Sequence, residues 1–469
     1  MPPRRPADHD DRRASAPHVR PGEPRPALSG LWLRGALVVT EPERRRPGFA
    51  DILIRDGMIE AVGKIDPARA GDAETIDLTG EIVIPGFVQA HVHLAQTPFR
   101  GLAEGLELLP WLATRVLPLE AAHDPQTLYA AARLGIAELL LGGCTTILDF
   151  GSVNHYSVVF QAAREMGIRF VGGNTMMDAG QNVPKAIRQT KDAALATSIE
   201  LFGRWHGAAQ GRLRYAVTPR FLLSCSEALL RESLALAREH DLLWHTHLAE
   251  QQAEVAAVRK ATGMASADYL DTLDAAGTRM AFAHAVHLLE GEKRQLADWR
   301  AGVLHCPRAN SKLASGRAPV PEYRRMGLAV GLGSDGSACN NKLDMFEEMR
   351  AAGALQDLAH GPAALPSAAL FTMATIDGAR AIGLGGEVGA IEPGRRADLV
   401  VLDLTGAPFV SAAEPLETIV HAGDARAVKR VMIDGRWVVK EGRLLTADPD
   451  EVAAEAARAA AILKERVFV

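Results

Sequence analysis

The stretch Ile82–Phe99, Ile-Val-Ile-Pro-Gly-Phe-Val-Gln-Ala-His-Val-His-Leu-Ala-Gln-Thr-Pro-Phe, constrains this chain more than any other. It reads as an apolar strand that runs into Pro85-Gly86, continues, and ends on His91 and His93. Side chains alternate along an extended segment, so both imidazoles face one side. Two neutral imidazoles together at a strand end suit a transition metal. A lone His-x-His is as readily two polar residues closing a strand, so further ligands have to come from elsewhere in the chain.

The rest of the chain has room to supply them. With 469 residues, nearly half of them apolar and 43 of them Gly, it suits a buried-sheet α/β protein with one large and one smaller domain. The net charge of −5 leaves no basic stripe for nucleic acid and no acidic tail. Cys144, Cys225, Cys306 and Cys339 are widely spaced, with no Cys-x-x-Cys, and read as reduced thiols of a cytoplasmic protein. No membrane span is expected, because Glu138 and Asp149 interrupt the most apolar run, Leu134–Phe150. The Arg- and Pro-rich residues 1–28 read as a disordered tail; their Arg pairs are followed by no apolar segment that would make a twin-arginine signal.

Short β runs, Leu31–Val39, Ala50–Arg55 and Met58–Val62, precede the histidine strand, with Asp56-Gly57 as a hairpin signal. The same idiom returns near the other end in Ala397–Asp403, Val428–Ile433 and Arg436–Lys440, around Asp434-Gly435. A small β-sandwich built from both ends, residues 29–88 and 388–447, is therefore expected. Between them lie strands at Thr145–Phe150, Arg169–Asn174, Arg214–Thr218, Leu242–His247, Met280–His284, Gly302–His305 and Ala329–Ser334, separated by helical text such as Glu227–His240. There Leu230, Leu234 and Ala237 recur at helical spacing, and Ser224 with Glu227 has capping-box spacing. With the histidine strand these make the eight β/α units of a TIM barrel over residues 89–387. An open doubly wound sheet is the alternative, but no Gly-rich phosphate turn follows the first strand. Residues 448–469 read as a terminal helix.

Barrel active sites sit where the strands end. The first barrel strand ends on His91 and His93, the fifth on Trp244-His-Thr-His-Leu-Ala-Glu250, the sixth on His284, and the eighth on Gly331-Leu-Gly-Ser-Asp335. Three histidines and an aspartate would make a four-ligand N/O site with a position left for water. His245 and His247 share a strand face, and only one of them need bind metal.

These motifs, together with His305-Cys-Pro-Arg-Ala-Asn310 and Asp335-Gly-Ser-Ala-Cys-Asn340-Asn341, resemble the amidohydrolase superfamily. The resemblance runs from about Leu31 to Leu445. It is closest to the aminohydrolases that include 5′-deoxyadenosine, methylthioadenosine/S-adenosylhomocysteine and guanine deaminases and triazine hydrolases. It implies that His91, His93, His247 and Asp335 bind one divalent metal, Zn²⁺ or alternatively Fe²⁺. It implies that Glu250 shuttles the proton and that His284 orients the attacking water, with Asp335 taking part in catalysis as well. Binuclear members need a lysine at the end of strand four; Ala216-Val-Thr-Pro-Arg220 has none there. A metal lowers the pKa of bound water to about 7, and a carboxylate must then carry that proton to the ring and the departing ammonia.

For the substrate, Trp111 and Glu120 resemble the nucleoside branch, where their counterparts line the pocket and bind ribose hydroxyls. Gln96 and Thr218-Pro-Arg220-Phe221 resemble guanine deaminase, where Gln and Arg contact the base; His305 joins them as a candidate substrate contact. The adenosylhomocysteine enzymes have His at the position of Arg220 and an arginine near Asn174, and this chain departs from both. The longer matches, Asn340–Arg350 and Ala374–Arg380, are to the deoxyadenosine and methylthioadenosine type. The expectation is hydrolytic deamination of a 5′-modified adenosine (5′-deoxyadenosine, methylthioadenosine or adenosine itself). Guanine or a related aminopurine or pterin is the alternative, and a triazine-type hydrolase that dechlorinates or deaminates comes after it. A small-molecule purine partner, no nucleic acid, no membrane and a homo-oligomer complete the expectation.

Overall fold

A computed structural model describes residues 30–41, 43, 44, 46–180 and 182–468; the expected tail at 1–28 lies outside them. The chain forms two sheets. One holds eight parallel barrel strands: Phe87–His93, Cys144–Phe150, Arg169–Gly173, Leu213–Pro219, Leu243–Leu248, Met280–His284, Gly302–His305 and Val330–Leu332. Their neighbours follow chain order, as right-handed β/α winding requires. The short strand Asp335–Gly336 pairs parallel with the first barrel strand, so the last strand hands the chain across to close the ring. The expected Ala329–Ser334 strand is thus split, with Gly333 and Ser334 turning between two partners.

Helices such as Pro125–Leu141, Lys191–Trp205 and Glu227–Glu239 separate the strands and pack their apolar faces outside the ring. Glu227–Glu239 is capped by the hydroxyl of Ser226, which accepts from Leu229 N. Ser224, at the expected position, instead donates to Phe221 O, because the chain makes a short 3₁₀ turn there first. Inside the ring, Val88, Ala90, Leu148, Val171, Ala216, Leu243, Ala281 and Leu304 fill the base against the helix Ile376–Ala381. The polar strand ends are left at the opposite mouth.

The second sheet is mixed and has nine strands. Leu31–Val38, Gly48–Arg55, Met58–Gly63, Glu74–Asp77 and Ile82–Pro85 come from one end of the chain, and Leu399–Leu402, Val428–Ile433, Arg436–Lys440 and Arg443–Leu444 from the other. The two halves join where Ile82–Pro85 pairs antiparallel with Leu399–Leu402. The run Ile82–His93 is therefore two strands in two sheets, and the break falls at Gly86. A Cβ there would lie 2.1 Å from Thr145 Oγ1, so only glycine lets the chain cross so close to the second barrel strand. Arg169, buried, ties the sheets together, bonding both oxygens of Asp398 at 2.8 and 2.9 Å and Asp434 at 2.5 Å.

The terminal helix Pro449–Phe468 lies along Pro125–Leu141, with Arg133 bonded to Glu455 and Arg466 to Asp124 at 2.8 Å. Its Leu463 is fully buried in a separate core beside the mouth, with Trp111, Val116 and Leu119. No helix among the described residues is long and apolar enough to cross a membrane.

Candidate active site and metal centre

The mouth of the barrel collects the candidate residues in layers. His91 and His93 end the first strand, and the turn after them is pinned by Asp149 on the second, whose Oδ1 accepts Leu94 N at 2.8 Å. Burial pushes the Asp149 carboxyl up to about 6, against the pull of the Leu94 N–H and the Tyr156 hydroxyl. His247 arrives from the fifth strand and Asp335 from beyond the eighth. One donor atom from each of His91, His93, His247 and Asp335 lies within 4.8 Å of the others. Asp335 Oδ1 is 3.5 Å from His91 Nε2 and 3.2 Å from His93 Nε2.

The donor set fits a divalent metal on chemical grounds. His247 Nδ1 donates to the Arg220 carbonyl at 2.7 Å, which leaves a lone pair on Nε2. That lone pair faces His93 Nε2 at 3.2 Å. His91 Nε2 is buried and has no hydrogen-bond partner. Burial holds His91 down at about 4, and His247 well below its ordinary 6.5, so both are neutral near pH 7. Neutral imidazoles converging on one carboxylate are a donor set that could hold a divalent metal. Burial alone would raise the Asp335 carboxyl, but the facing His91 and His93 outweigh it and hold it well below the usual range.

Beside this group lie Glu250 and His284. Glu250 Oε2 is 3.5 Å from His284 Nε2, and Ser315 donates to Glu250 Oε1 at 3.2 Å. Burial, and then the Asp335 carboxylate, push Glu250 up to about 8. Its backbone N–H is held by Glu254 Oε2 at 2.7 Å, from the first turn of the helix Gln252–Thr262. His284 Nδ1 is paired with Asn310 Oδ1 at 2.8 Å, so Nε2 is turned inward, toward Glu250 and, at 3.9 Å, Asp335 Oδ2. His284 and Asp335 both adopt left-handed backbone, at φ 72° and 60°. His and Asp enter that region more readily than most side chains, and here both stand where a strand gives way to the site.

A small cavity opens onto this cluster, lined by His93, Gln96, Trp111, Arg220, Phe221, His247, Glu250 and Asp335 among others. Gln96 donates its amide to Glu120 Oε1 at 2.9 Å, leaving Gln96 Oε1 without a partner. Gly336 leaves the space for that amide, since a Cβ would sit 1.9 Å from Gln96 Oε1. The Trp111 Nε1–H is likewise buried and unpaired. Glu120 lies behind Gln96 and Arg220, held by the Arg220 guanidinium at 2.6 and 3.2 Å. His305 is buried in the seventh strand with both ring nitrogens unpaired, and it does not line the cavity.

The structure thus brings the candidate metal ligands, Glu250 and His284 into one cluster, with Gln96, Trp111, Arg220 and Phe221 on the adjoining cavity wall and Glu120 one layer behind. Asn310, Ser315 and Glu254 were not singled out from sequence. Asn310 stands in a motif already noted, whereas Ser315 and Glu254 carry no local signal.

The comparisons agree with this geometry. The amidohydrolase family model matches residues 82–438. A 5′-deoxyadenosine deaminase of Methanothermobacter thermautotrophicus is 37% identical over 87% of this chain and 94% of its own length. A 5-methylthioadenosine/S-adenosylhomocysteine deaminase of Syntrophomonas wolfei is 35% identical over 86% and 92%. The crystal structure of an adenosine deaminase from Xanthomonas campestris with bound zinc superposes with a TM-score of 0.86 at 29% identity, covering 94% of this chain and all of that one. With a barrel whose strand ends carry the ligand set and a family model spanning most of its length, the chain belongs to the amidohydrolase family.

Proposed function

We propose that this protein is a zinc-dependent aminohydrolase that converts a 5′-modified adenosine to the corresponding inosine and ammonia. The observation that carries the reading is the placement of Glu250 and His284, 3.5 Å apart, beside the His91–His93–His247–Asp335 group and on one cavity. The zinc in the Xanthomonas campestris structure supports that metal over iron. The 37% identity to a 5′-deoxyadenosine deaminase supports the substrate class.

His91, His93, His247 and Asp335 would hold a divalent ion, which would lower the pKa of a bound water. Glu250 takes one proton from that water and gives it to purine N1 as C6 is attacked, then relays the second, from the new C6 hydroxyl, to the amine, so that the C6–N bond breaks with ammonia leaving and a 6-oxo product remains. His284, oriented by Asn310, aligns the water for attack at C6. Trp111 forms the cavity's apolar wall and offers its unpaired N–H. Glu120 accepts ribose hydroxyls once the nucleoside displaces the wall in front of it. The chemistry then resides in residues 89–387, with 29–88 and 388–447 as support. Four free, buried cysteines fit the cytoplasm.

The guanine alternative assigns Arg220 to the base. Arg220 and Gln96 line the cavity and the guanidinium pairs with Glu120; the identity to a 5′-deoxyadenosine deaminase is what favours the nucleoside. Zinc-loaded protein incubated with 5′-deoxyadenosine, methylthioadenosine, adenosine and guanine, followed by ammonia release and ultraviolet absorbance, tests the choice. Turnover of guanine with none of any adenosine would overturn it.

A further inference from the structure

His245 precedes His247 by two residues in the fifth strand, so it faces the same interior one step deeper in the barrel. It is completely buried. Its Nε2 lies 3.0 Å from His91 Nδ1, with the two rings nearly perpendicular at 87°. His91 presents the other nitrogen, Nε2, to Asp335. An imidazole that ligates through Nε2 must carry its single proton on Nδ1, and that proton then needs an acceptor. Among the described residues, the acceptor that faces it is His245 Nε2. The arrangement mirrors His247, whose Nδ1–H is taken by the Arg220 carbonyl, but here a side chain rather than the main chain does the work.

We infer that His245 is a positioning residue: by accepting the His91 Nδ1–H it selects the tautomer and ring orientation in which His91 offers Nε2 to the metal. The inference rests on the ligand assignment proposed above. An acceptor behind a metal-binding histidine fixes its tautomer and raises its basicity, and losing such a partner weakens metal binding roughly 10- to 100-fold. A neutral imidazole leaves one ring nitrogen without a proton, and His245 turns Nε2 toward His91. Phe150 packs edge-on against His245, with centroids 5.0 Å apart, and holds it in place.

The test is zinc affinity, measured without substrate. Apo protein is titrated with Zn²⁺ against a chromophoric chelator for wild type, His245→Phe, His245→Leu, His245→Gln and His91→Ala. Gln places an amide oxygen close to where Nε2 stood, so it keeps the acceptor; Phe and Leu do not. The expected result is zinc binding weakened roughly 10- to 100-fold in Phe and Leu and restored to within about threefold of wild type in Gln. Cobalt-loaded Phe and Leu proteins should show a shifted visible spectrum, with Gln close to wild type. Circular dichroism and thermal melting of the apo proteins identify any variant that has not folded, and having two apolar variants leaves the comparison intact if one fails. Wild-type affinity in the folded Phe or Leu protein, or equal weakening in Phe, Leu and Gln, would overturn the positioning role. If His91→Ala also binds zinc like wild type, the ligand assignment itself fails; if His91→Ala alone loses zinc, only the positioning role fails.

Discussion

Arg220 and Glu120, one hundred residues apart in sequence, form a buried bidentate pair with contacts of 2.6 and 3.2 Å. The main-chain carbonyl of the same arginine holds His247 at 2.7 Å. One residue therefore joins the wall of the substrate cavity to a candidate metal ligand. Removing one partner of a buried ion pair strands the other charge, at a cost of about 3–5 kcal/mol. Arg220→Met should destabilise the fold on that scale while zinc binding persists, since the carbonyl remains. Adding Glu120→Leu should recover much of the melting temperature but not the KM for ribonucleosides. A double variant with normal KM would remove Glu120 from substrate binding.

Glu250 is assigned the proton transfers. Glu250→Gln keeps the shape and the Ser315 contact but cannot take a proton. Turnover should fall about 10²- to 10⁴-fold with zinc content unchanged. Undiminished turnover by a zinc-replete variant would sink the role.

Glu348 provides a test by pH. It is fully buried, bonded by Asn340 Nδ2 at 2.7 Å, and burial raises it from an ordinary 4.5 to about 8. A carboxyl raised in the folded state contributes stability that is whole below about pH 4.5 and is lost as pH rises to about 8. Glu348→Gln keeps the acceptor and removes the buried charge. It should melt near wild type at pH 4.5 and above it at pH 8, by on the order of 3 kcal/mol. A difference that does not change with pH would contradict the assignment.

The cavity holds only about 30 Å³, against roughly 300–1,000 Å³ for a small-molecule site. Leu108, Trp111 and Leu112 close it, next to a π-helical turn at Leu112–Val116, an irregularity often found at functional positions. Entry of a nucleoside should displace this segment. Hydrogen exchange should show residues 108–121 exchanging faster than the barrel strands in free protein and slowing when a non-hydrolysed nucleoside is bound. Equal protection with and without nucleoside would place the entrance elsewhere.

Much of this was legible from residue order. The barrel strands are short apolar runs bounded by turns, and after the first their observed limits lie within two residues of the expected ones. The four candidate ligands, Glu250 and His284 stand out in the sequence because each closes or directly follows such a run, although residue order alone left His245 and His247 undivided. What was not legible depends on contacts between distant elements. Nothing local shows that Gly86 moves the chain from one sheet to the other, since that follows from its closeness to Thr145. Nothing local shows that Glu120 and Arg220, read as features of two different enzymes, are partners. The left-handed backbone at His284 and Asp335 carries no signal in the local sequence.

The central claim is that the four-ligand group, with Glu250, deaminates an adenosine. The most direct measurement is ammonia release from 5′-deoxyadenosine by one preparation, first stripped of metal by chelator and then reloaded with one equivalent of Zn²⁺. Stripped protein should release none, and reloaded protein one ammonia per nucleoside with the absorbance change of an inosine-type product. Equal release by the stripped protein, or none after zinc is shown to be bound, would contradict it.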